Sequence, residues 1–279
     1  LLLRRKLGNY DIFHSLSSNA PLFYKKNMIT TVHDLTYLKY PSYLGKLSII
    51  KKIYINFVYK SISKHHKYII TVSNSTKNDF KESFKPKEGK LKVIYNGFEP
   101  WPRNKGQDKI VNSLKPYLLY VGDSRPHKNL ERIVEAYKSV RETYPNYKLV
   151  LVGNIPMHHE NFDGIHVFNN VSNHLLYSFY ESSFAVLLPS YYEGFGLTIL
   201  EAYSVNKPVI TSNVASMREI GGKGAIYVDP YNTENIIEAI ASLLLNSELY
   251  NSLITNSYIS TNKFSWELAA RKLIKIYNG

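Results

Sequence analysis

The chain has 279 residues, 44% of them hydrophobic and 14% aromatic, which is enough for one large or two ordinary domains and too apolar for wholesale disorder. Its 35 Lys and Arg against 22 Asp and Glu leave +13, a balance that attracts nucleic acid, anionic lipid headgroups or phosphorylated substrates. The lack of Cys excludes disulfides, thiolate zinc sites and a cysteine nucleophile, and no uncharged apolar stretch approaches the length of a spanning helix.

The chain opens Leu1-Leu2-Leu3-Arg4-Arg5-Lys6, without Met and with apolar residues before charge, the reverse of a signal peptide; a missing beginning is expected. Short β-branched or aromatic runs predict strands at Tyr10–His14 and Met28–His33. The second ends in His33-Asp34, a pair able to fix a tautomer and present a nitrogen to a substrate, although a lone His after a strand is more often structural. Asp11 and His14 are weaker candidates nearby.

A helical pattern covers 44–65. From Lys46 to Lys67 there is no acid, and Ile49, Ile50, Ile53, Phe57 and Val58 recur at helical spacing. Such a helix can lie on an anionic membrane or bury its stripe in the core, and the core reading is favoured. The adjacent pairs His65-His66 and His158-His159 do not point the same way on a helix or strand and read as surface, not metal. Strands at Tyr68–Val72 and Lys92–Tyr95 flank a helix at 74–84. The segment 98–115, with two prolines and charges of both signs, reads as an interdomain linker.

The strand series restarts at Tyr117–Val121, followed by Lys148–Val152, Ile165–Phe168, Phe184–Leu188, Pro208–Thr211 and Ala225–Val228. Helical patterns at 129–143, 173–182, 196–205 and 233–245 alternate with them. Alternation predicts parallel sheets with helices on both faces, and ligands outside the carboxyl ends of the strands. Two facing units of this kind would place a site in the cleft between them.

In Tyr117–Leu130 a strand ends at Gly122 and a basic loop carries Arg125 and Lys128, natural partners of phosphate oxygens; the plain alternative is a surface loop with Asn129 as helix N-cap. Leu187–Ala202 is the strongest segment. A strand ends at Pro189, Gly194 and Gly196 flank Phe195, and a helix follows whose first amides would face an anion. Glu193 sits in the loop and Glu201 eight residues on, where a carboxylate can take vicinal ribose hydroxyls. The third glycine of a dinucleotide fingerprint is absent, and a glycine-assisted turn with solvated glutamates is the plain alternative. No HExxH, GxSxG or Walker A pattern occurs, and nothing selects a glycosidase carboxylate pair. Trp266 in FSWELAA reads as an amphipathic helix anchor.

Together these segments resemble the retaining glycosyltransferases of family 4, also called glycosyl transferases group 1. The resemblance rests on the E-x7-E spacing of Glu193 and Glu201, on Pro208-Val209-Ile210, Glu219-Ile220-Gly221-Gly222 and Val228-Asp229-Pro230. Val121-Gly122, Lys128-Asn129-Leu130, His33-Asp34, Val72-Ser73 and Tyr95-Asn96-Gly97 are similar as well. It implies an α/β, GT-B-like fold: two Rossmann-like parallel-sheet domains facing a cleft, the first of them incomplete. The divisions would be 1–100, a linker 101–115, a nucleotide-sugar domain 116–262, and a helix 263–279 crossing back to the first domain.

The resemblance further implies that Glu193 contacts the transferred sugar, with His33 near it and Lys128 neutralising the diphosphate without a metal. Glu201 would hold the ribose, and Gly194, Phe195, Gly196, Leu197, Thr198, Arg125 and Gly122 would complete the donor site. The implied activity is retaining hexosyl transfer, with mannose preferred, from GDP-mannose or a UDP-sugar to a glycan or lipid-linked acceptor in surface polysaccharide synthesis. No further cofactor is implied. The implied location is cytoplasmic; the acid-free helical run at 46–67 adds the weaker expectation of peripheral attachment at the inner membrane face. A truncated sugar-nucleotide-binding remnant and, more distantly, a nucleic-acid binder are the alternatives. The sequence departs from the family where Asp123, not arginine, follows Gly122, leaving Arg125 as the replacement cation, and where no glycine-rich loop precedes Tyr10.

Overall fold

The computed structural model describes residues 10–21, 27–41, 48–101 and 108–279. The opening Leu1–Lys6, the start of the 44–65 helix and residues 102–107 of the expected linker lie outside them. The chain divides into two compact units. Unit 1 comprises Leu1–Gly97, Glu193–Phe195 and Phe264–Gly279, and unit 2 comprises Phe98–Tyr192 and Gly196–Lys263.

Among the described residues, unit 1 holds a parallel sheet in the order β1 (Phe13–Ser15), β2 (Met28–Val32), β3 (Tyr68–Thr71), β4 (Leu91–Val93). Helix α1 (Thr36–Lys39) follows β2, α2 (Ser48–His65) connects to β3, and α3 (Asn74–Phe84) connects β3 to β4. The alternating sides of β2 and β3 feed two apolar layers, as period-two side chains must. Val32 and Ile69 pack with Val58, Tyr59 and Ile62 of α2 and Phe80 of α3. On the other face Ile29 and Ile70 pack with Ile94 and with Ala269, Leu273 and Ile276 of α11 (Trp266–Asn278).

Unit 2 holds six parallel strands: β5 (Tyr117–Asp123), β6 (Lys148–Asn154), β7 (Ile165–Phe168), β8 (Ala185–Leu188), β9 (Val209–Ser212) and β10 (Ala225–Val228). Their order is β7-β6-β5-β8-β9-β10, the 3-2-1-4-5-6 arrangement of the dinucleotide-binding fold. β8 and β9 are buried at every position, as expected of strands covered on both faces. Around them lie α4 (Lys109–Ser113), α5 (Leu130–Thr143), α6 (Asn173–Ser182), α7 (Leu197–Ser204), α8 (Met217–Gly221), α9 (Thr233–Leu245) and α10 (Ser247–Thr261). The core joins Leu118, Tyr120, Leu149 and Leu151 to Ile133 and Tyr137 of α5 and to Ile236 and Ile240 of α9. Local sequence starts several helices: the side chains of Ser73, Ser172, Asn232 and Asn246 each accept an amide from the first turn.

Several expectations need correction. The segment read as a linker is structured at both described ends. Asp108 caps α4, Val111 is buried, and the Trp101 ring lies 6.3 Å from both Tyr177 and Tyr180. His66 and His159 are buried, not surface. His66 Nδ1 meets Thr30 Oγ1 at 2.7 Å, and burial, reinforced by the Lys90 charge, pulls its pKa down to about 4. His14 joins three elements through Tyr277 Oη at 2.6 Å and Thr31 Oγ1 at 2.9 Å, a structural post. The anchor expected of Trp266 is half met: it opens α11 with an exposed ring, and a Cβ on Gly97 would fall 2.4 Å from that ring.

Candidate functional site

In unit 2 the sheet reverses direction of winding between β5 and β8. β5 pairs with β6 through to Asp123↔Asn154, but with β8 only at Leu118↔Ala185 and Leu119↔Val186. The two strands therefore part towards their carboxyl ends, which is the topological switch point where such sheets bind ligands. The loop after β5 carries Gly122, Arg125 and Lys128, and the loop after β8 leads into α7.

Asn129 ties these loops together. It adopts φ 62° and, contrary to the N-cap expectation, makes no cap hydrogen bond. Its amide instead donates to the carbonyls of Pro189 at 2.8 Å and Pro230 at 2.7 Å. One side chain thus fixes the exits of β5, β8 and β10. The Tyr191 amide adds a bond to the His127 carbonyl at 2.8 Å. Beside it the Tyr191 and Tyr231 rings stack at 4.6 Å, and Arg132 donates to the Tyr191 hydroxyl.

The cations of the β5 loop differ in their engagement. Arg125 grips its neighbour: Nε lies 2.8 Å and Nη2 2.7 Å from Asp123 Oδ2, and its amide bonds Oδ1 at 3.0 Å. Burial raises the Asp123 pKa, but the Arg125 bonds and the charges of Arg125 and Lys128 outweigh it and hold the carboxyl below its ordinary range. Arg125 is thus paired with Asp123 in a bridge whose side chains are 49% and 28% exposed. Lys128 is half-buried, in a 3-10 turn spanning Pro126–Lys128.

Gly196 enters α7 at φ 98°, a left-handed conformation that suits glycine. The amides of Leu197 and Thr198 then fall in the first helical turn, where they have no intrahelical acceptor and lie at the positive end of the dipole. Further along α7, Glu201 Oε2 accepts from the Tyr180 hydroxyl at 2.6 Å. Burial pushes the Glu201 carboxyl above its ordinary range, and the Tyr180 hydrogen bond pulls it part-way back. Tyr180 is fully buried, and burial with the Glu201 charge raises its own pKa well above the ordinary value; its hydroxyl also bonds Thr198. Sequence reasoning missed Tyr180 and the bridging role of Asn129, because only the tertiary partners mark them out.

Unit 1 contains His33, Glu193, Gly194 and Phe195. The His33 Nε2–H donates to the Leu16 carbonyl at 2.8 Å, which leaves Nδ1 as the acceptor of the neutral ring. Asp34 does not orient it: its Oδ1 takes the Thr36 amide at 2.9 Å and turns the chain into α1. The expected His–Asp tautomer pair is thus replaced by a bond to a backbone carbonyl. The Gly194 carbonyl accepts from Ser73 Oγ at 2.8 Å, and a Cβ at Gly194 would come within 2.3 Å of the His33 carbonyl oxygen, so a side chain there is excluded. Phe195 packs its ring 5.6 Å from Phe264. Among the described residues, no cluster of three or more His, Cys, Asp or Glu could hold a metal ion, and no helix is long and apolar enough to cross a membrane.

The profile of the family Glycosyl transferases group 1 matches residues 103–260, more than half of the chain. The chain belongs to that family. The profile of Glycosyltransferase Family 4 matches residues 1–101. Among relatives of this group 1 chain, the O-antigen chain mannosyltransferase RfbU of Salmonella typhimurium is 29% identical over 246 residues, 85% of this chain and 66% of that protein. An uncharacterized glycosyltransferase of Methanocaldococcus jannaschii is 30% identical over 75% of this chain and 59% of its own length. The chain thus spans less than two thirds of the length of either. O-antigen chain mannosyltransferase B of Escherichia coli is 25% identical over 93% of this chain and 73% of its own. Among solved structures, sucrose-phosphate synthase from Thermosynechococcus elongatus superposes with a TM-score of 0.77 at 20% identity, covering 96% of this chain and 73% of that one. WaaG, a glycosyltransferase involved in lipopolysaccharide biosynthesis, gives 0.73 at 18% identity over 91% of this chain and 78% of that one. These likenesses show the fold: α/β, with two Rossmann-like units of the GT-B class.

Proposed function

We propose that the protein is a retaining glycosyltransferase that moves a hexose, mannose by preference, from a nucleotide-diphosphate sugar to a glycan or lipid-linked acceptor. The observation that carries the reading is the donor half in unit 2. Lys128 lies in the loop after β5, and Gly196 opens the helix after β8, on which a buried tyrosine holds the Glu201 carboxylate; β5 and β8 flank the switch point of the sheet. Each group has a task. Glu201, held through Oε2 by Tyr180, offers Oε1 to vicinal ribose hydroxyls. The Leu197 and Thr198 amides and Lys128 take the charge that builds on the departing diphosphate, and fixed donors of this kind stabilise such a transition state without reorganising. No step needs a metal or a second cofactor. Glu193 and His33 are assigned to the transferred sugar by family resemblance. The mannose preference rests on the names of the Salmonella and E. coli relatives.

The test uses the full-length protein with GDP, GDP-mannose, UDP and UDP-glucose. Glu201→Ala should weaken nucleotide binding about tenfold or more, from the loss of hydrogen bonds to a charged group. Glu193→Ala should keep nucleotide affinity and lose turnover. Wild-type behaviour in both variants refutes the assignment. Nucleotide binding without transfer in the unaltered protein would leave a binding protein, not an enzyme. Salt-dependent binding of duplex DNA without nucleotide binding would turn the reading to nucleic acid.

A further inference from the structure

The amino ends of the unit 2 strands gather cations. Hydrogen bonds hold these entrances side by side: the Lys148 amide donates to the Pro116 carbonyl at 3.0 Å, the Phe184 amide to the Tyr117 carbonyl at 2.8 Å and the Val186 amide to the Pro208 carbonyl at 3.0 Å. Lys207, Lys115 and Lys148 stand at the entrances of β9, β5 and β6, and strand pairing sets them along one edge of the sheet. Their charges act on one another. Burial lowers the Lys207 pKa and the Lys115 charge lowers it further, while Glu181 opposes both.

Next to Lys115 the edge opens into a cavity of about 720 Å³, whose charged or titratable lining is Lys115, Arg141, Tyr147, Lys148, Asp163 and His166. Three cations thus face one acid. Arg141, from the end of α5, donates through Nη1 to the Tyr137 hydroxyl at 3.1 Å and through Nη2 to Asp163. It lies so close to Gly164 that a Cβ there would fall 2.6 Å from the guanidinium carbon. Its side chain is 20% exposed and that of Asp163 is 92% exposed, so an incoming anion can replace the carboxylate without moving the guanidinium. Lys148 Nζ donates to the Ser113 carbonyl at 2.9 Å, at the end of α4, where a cation offsets the helix dipole. That accounts for one lysine and leaves the excess of positive charge around the cavity without a balance.

Charge and donor geometry select the occupant. Arg presents a planar fork to phosphate oxygens and Lys a point charge, and three cations suit an anion that carries more than one charge. We propose that the cavity is a binding site for a small phosphate-bearing anion, distinct from the donor site. β6 alone runs seven residues, about 23 Å, from Lys148 at this end to the carboxyl end of the sheet, where the donor loops leave. The proposal goes beyond the transfer reaction and stands without it.

Pyrophosphate titrated into the full chain at constant ionic strength tests the proposal through the His166 ring, whose proton resonance is the one that His166→Gln removes. Burial lowers the His166 pKa, as do Lys148 and Arg141, against Glu160 and Asp163. A bound anion should shift the resonance and move that pKa upwards. Lys115→Gln with Lys148→Gln should weaken this binding about tenfold or more, and the exposed Lys115→Gln alone about threefold, from the loss of charge-assisted hydrogen bonds. The other histidine resonances should stay in place in both variants. Glucose 1-phosphate as a second probe separates a free anion from a phosphorylated saccharide, by which of the two binds more tightly. No movement of the His166 resonance with either probe overturns the proposal. So does the same movement when chloride alone is raised, or an undiminished response in the lysine variants. Glu201→Ala protein should respond as the wild type does, so failure of this site is distinct from failure of the donor site.

Discussion

Replacing Tyr180 with Phe removes one atom and leaves the ring packing of α6 intact. The lost hydroxyl is the donor at 2.6 Å to Glu201 Oε2, in a site where the tyrosine is fully buried. A hydrogen bond to a charged group contributes about 1.5–3 kcal/mol. Part of that loss falls on folding, because an ionised carboxylate is left short of a donor in a dry site, and part falls on ligand binding, because Glu201 is no longer held in one rotamer. If about 1–2 kcal/mol reaches binding, nucleotide affinity drops roughly 5–30-fold. The sign of the pH effect is fixed as well. Burial already raises the Glu201 pKa and the Tyr180 bond lowers it, so Tyr180→Phe moves it further up. The ionised fraction then begins to fall at a higher pH on acidification, and affinity falls with it. Calorimetric titration of GDP and UDP across the mildly acidic to neutral range, for the wild-type protein and Tyr180→Phe, measures both effects. Unchanged affinity together with a superimposable pH profile would refute the claim that Tyr180 positions Glu201. A loss of stability with unchanged nucleotide affinity would make the bond purely structural.

Asn129→Asp keeps the shape and places an acceptor against the carbonyls of Pro189 and Pro230, two buried bonds lost at once; thermal unfolding should show a cost of about 2–4 kcal/mol. Asn129→Gly, which keeps the left-handed backbone accessible, should cost less than Asn129→Asp, and the reverse order would remove the loop-bridging argument. His66 gives a pH signature. Its folded pKa lies near 4, below the ordinary 6.5, so the unfolded chain binds the proton first. Stability should therefore decline as pH falls from 6.5 towards 4, by on the order of 2 kcal/mol at pH 5. His66→Asn should flatten that part of the denaturant-midpoint profile, and an unaltered slope would place the titration elsewhere.

Much of the sheet pattern is readable in the chain, for a physical reason. Strands covered on both faces must be apolar at nearly every position, and Ala185–Leu188 and Val209–Ser212 are such runs with breakers at their ends. Helices that owe their existence to neighbours are harder to see. α10 carries the mixed sequence SELYNSLITNSYIST, whose periodicity is weak, and it is held by contacts such as that of Leu253 with the main core. α4 hides in a segment rich in charge. At the site, Glu193, Glu201 and Lys128 stand out because their spacing from glycines and strand ends is local information. The clasp of Arg125 on Asp123 is only two residues long, yet a loop sequence does not say whether a guanidinium turns inwards to its neighbour or outwards to a ligand. Tyr180 and Asn129 act on partners 21, 60 and 101 positions away, distances over which sequence spacing carries nothing. The stripe of α2 shows the same limit from the other side. Helical periodicity identifies the apolar positions, but only tertiary packing decides that Val58 is buried while Ile49, Ile50, Ile53 and Phe57 stay exposed.

The order of synthesis puts α11 in a particular position. One side of the β2–β3 layer is furnished by Ala269, Leu273 and Ile276, which leave the ribosome only after all of unit 2. Unit 2 has its six strands by Val228 and can close its core while Ile29 and Ile70 still lack their lid. The nascent protein therefore carries an uncovered apolar sheet face through most of its translation, the kind of surface that chaperones bind and that aggregation exploits. Premature termination before Trp266 would leave a finished-looking unit 2 attached to a permanently open unit 1, and quality control would meet it as a folding failure of the half that was made first.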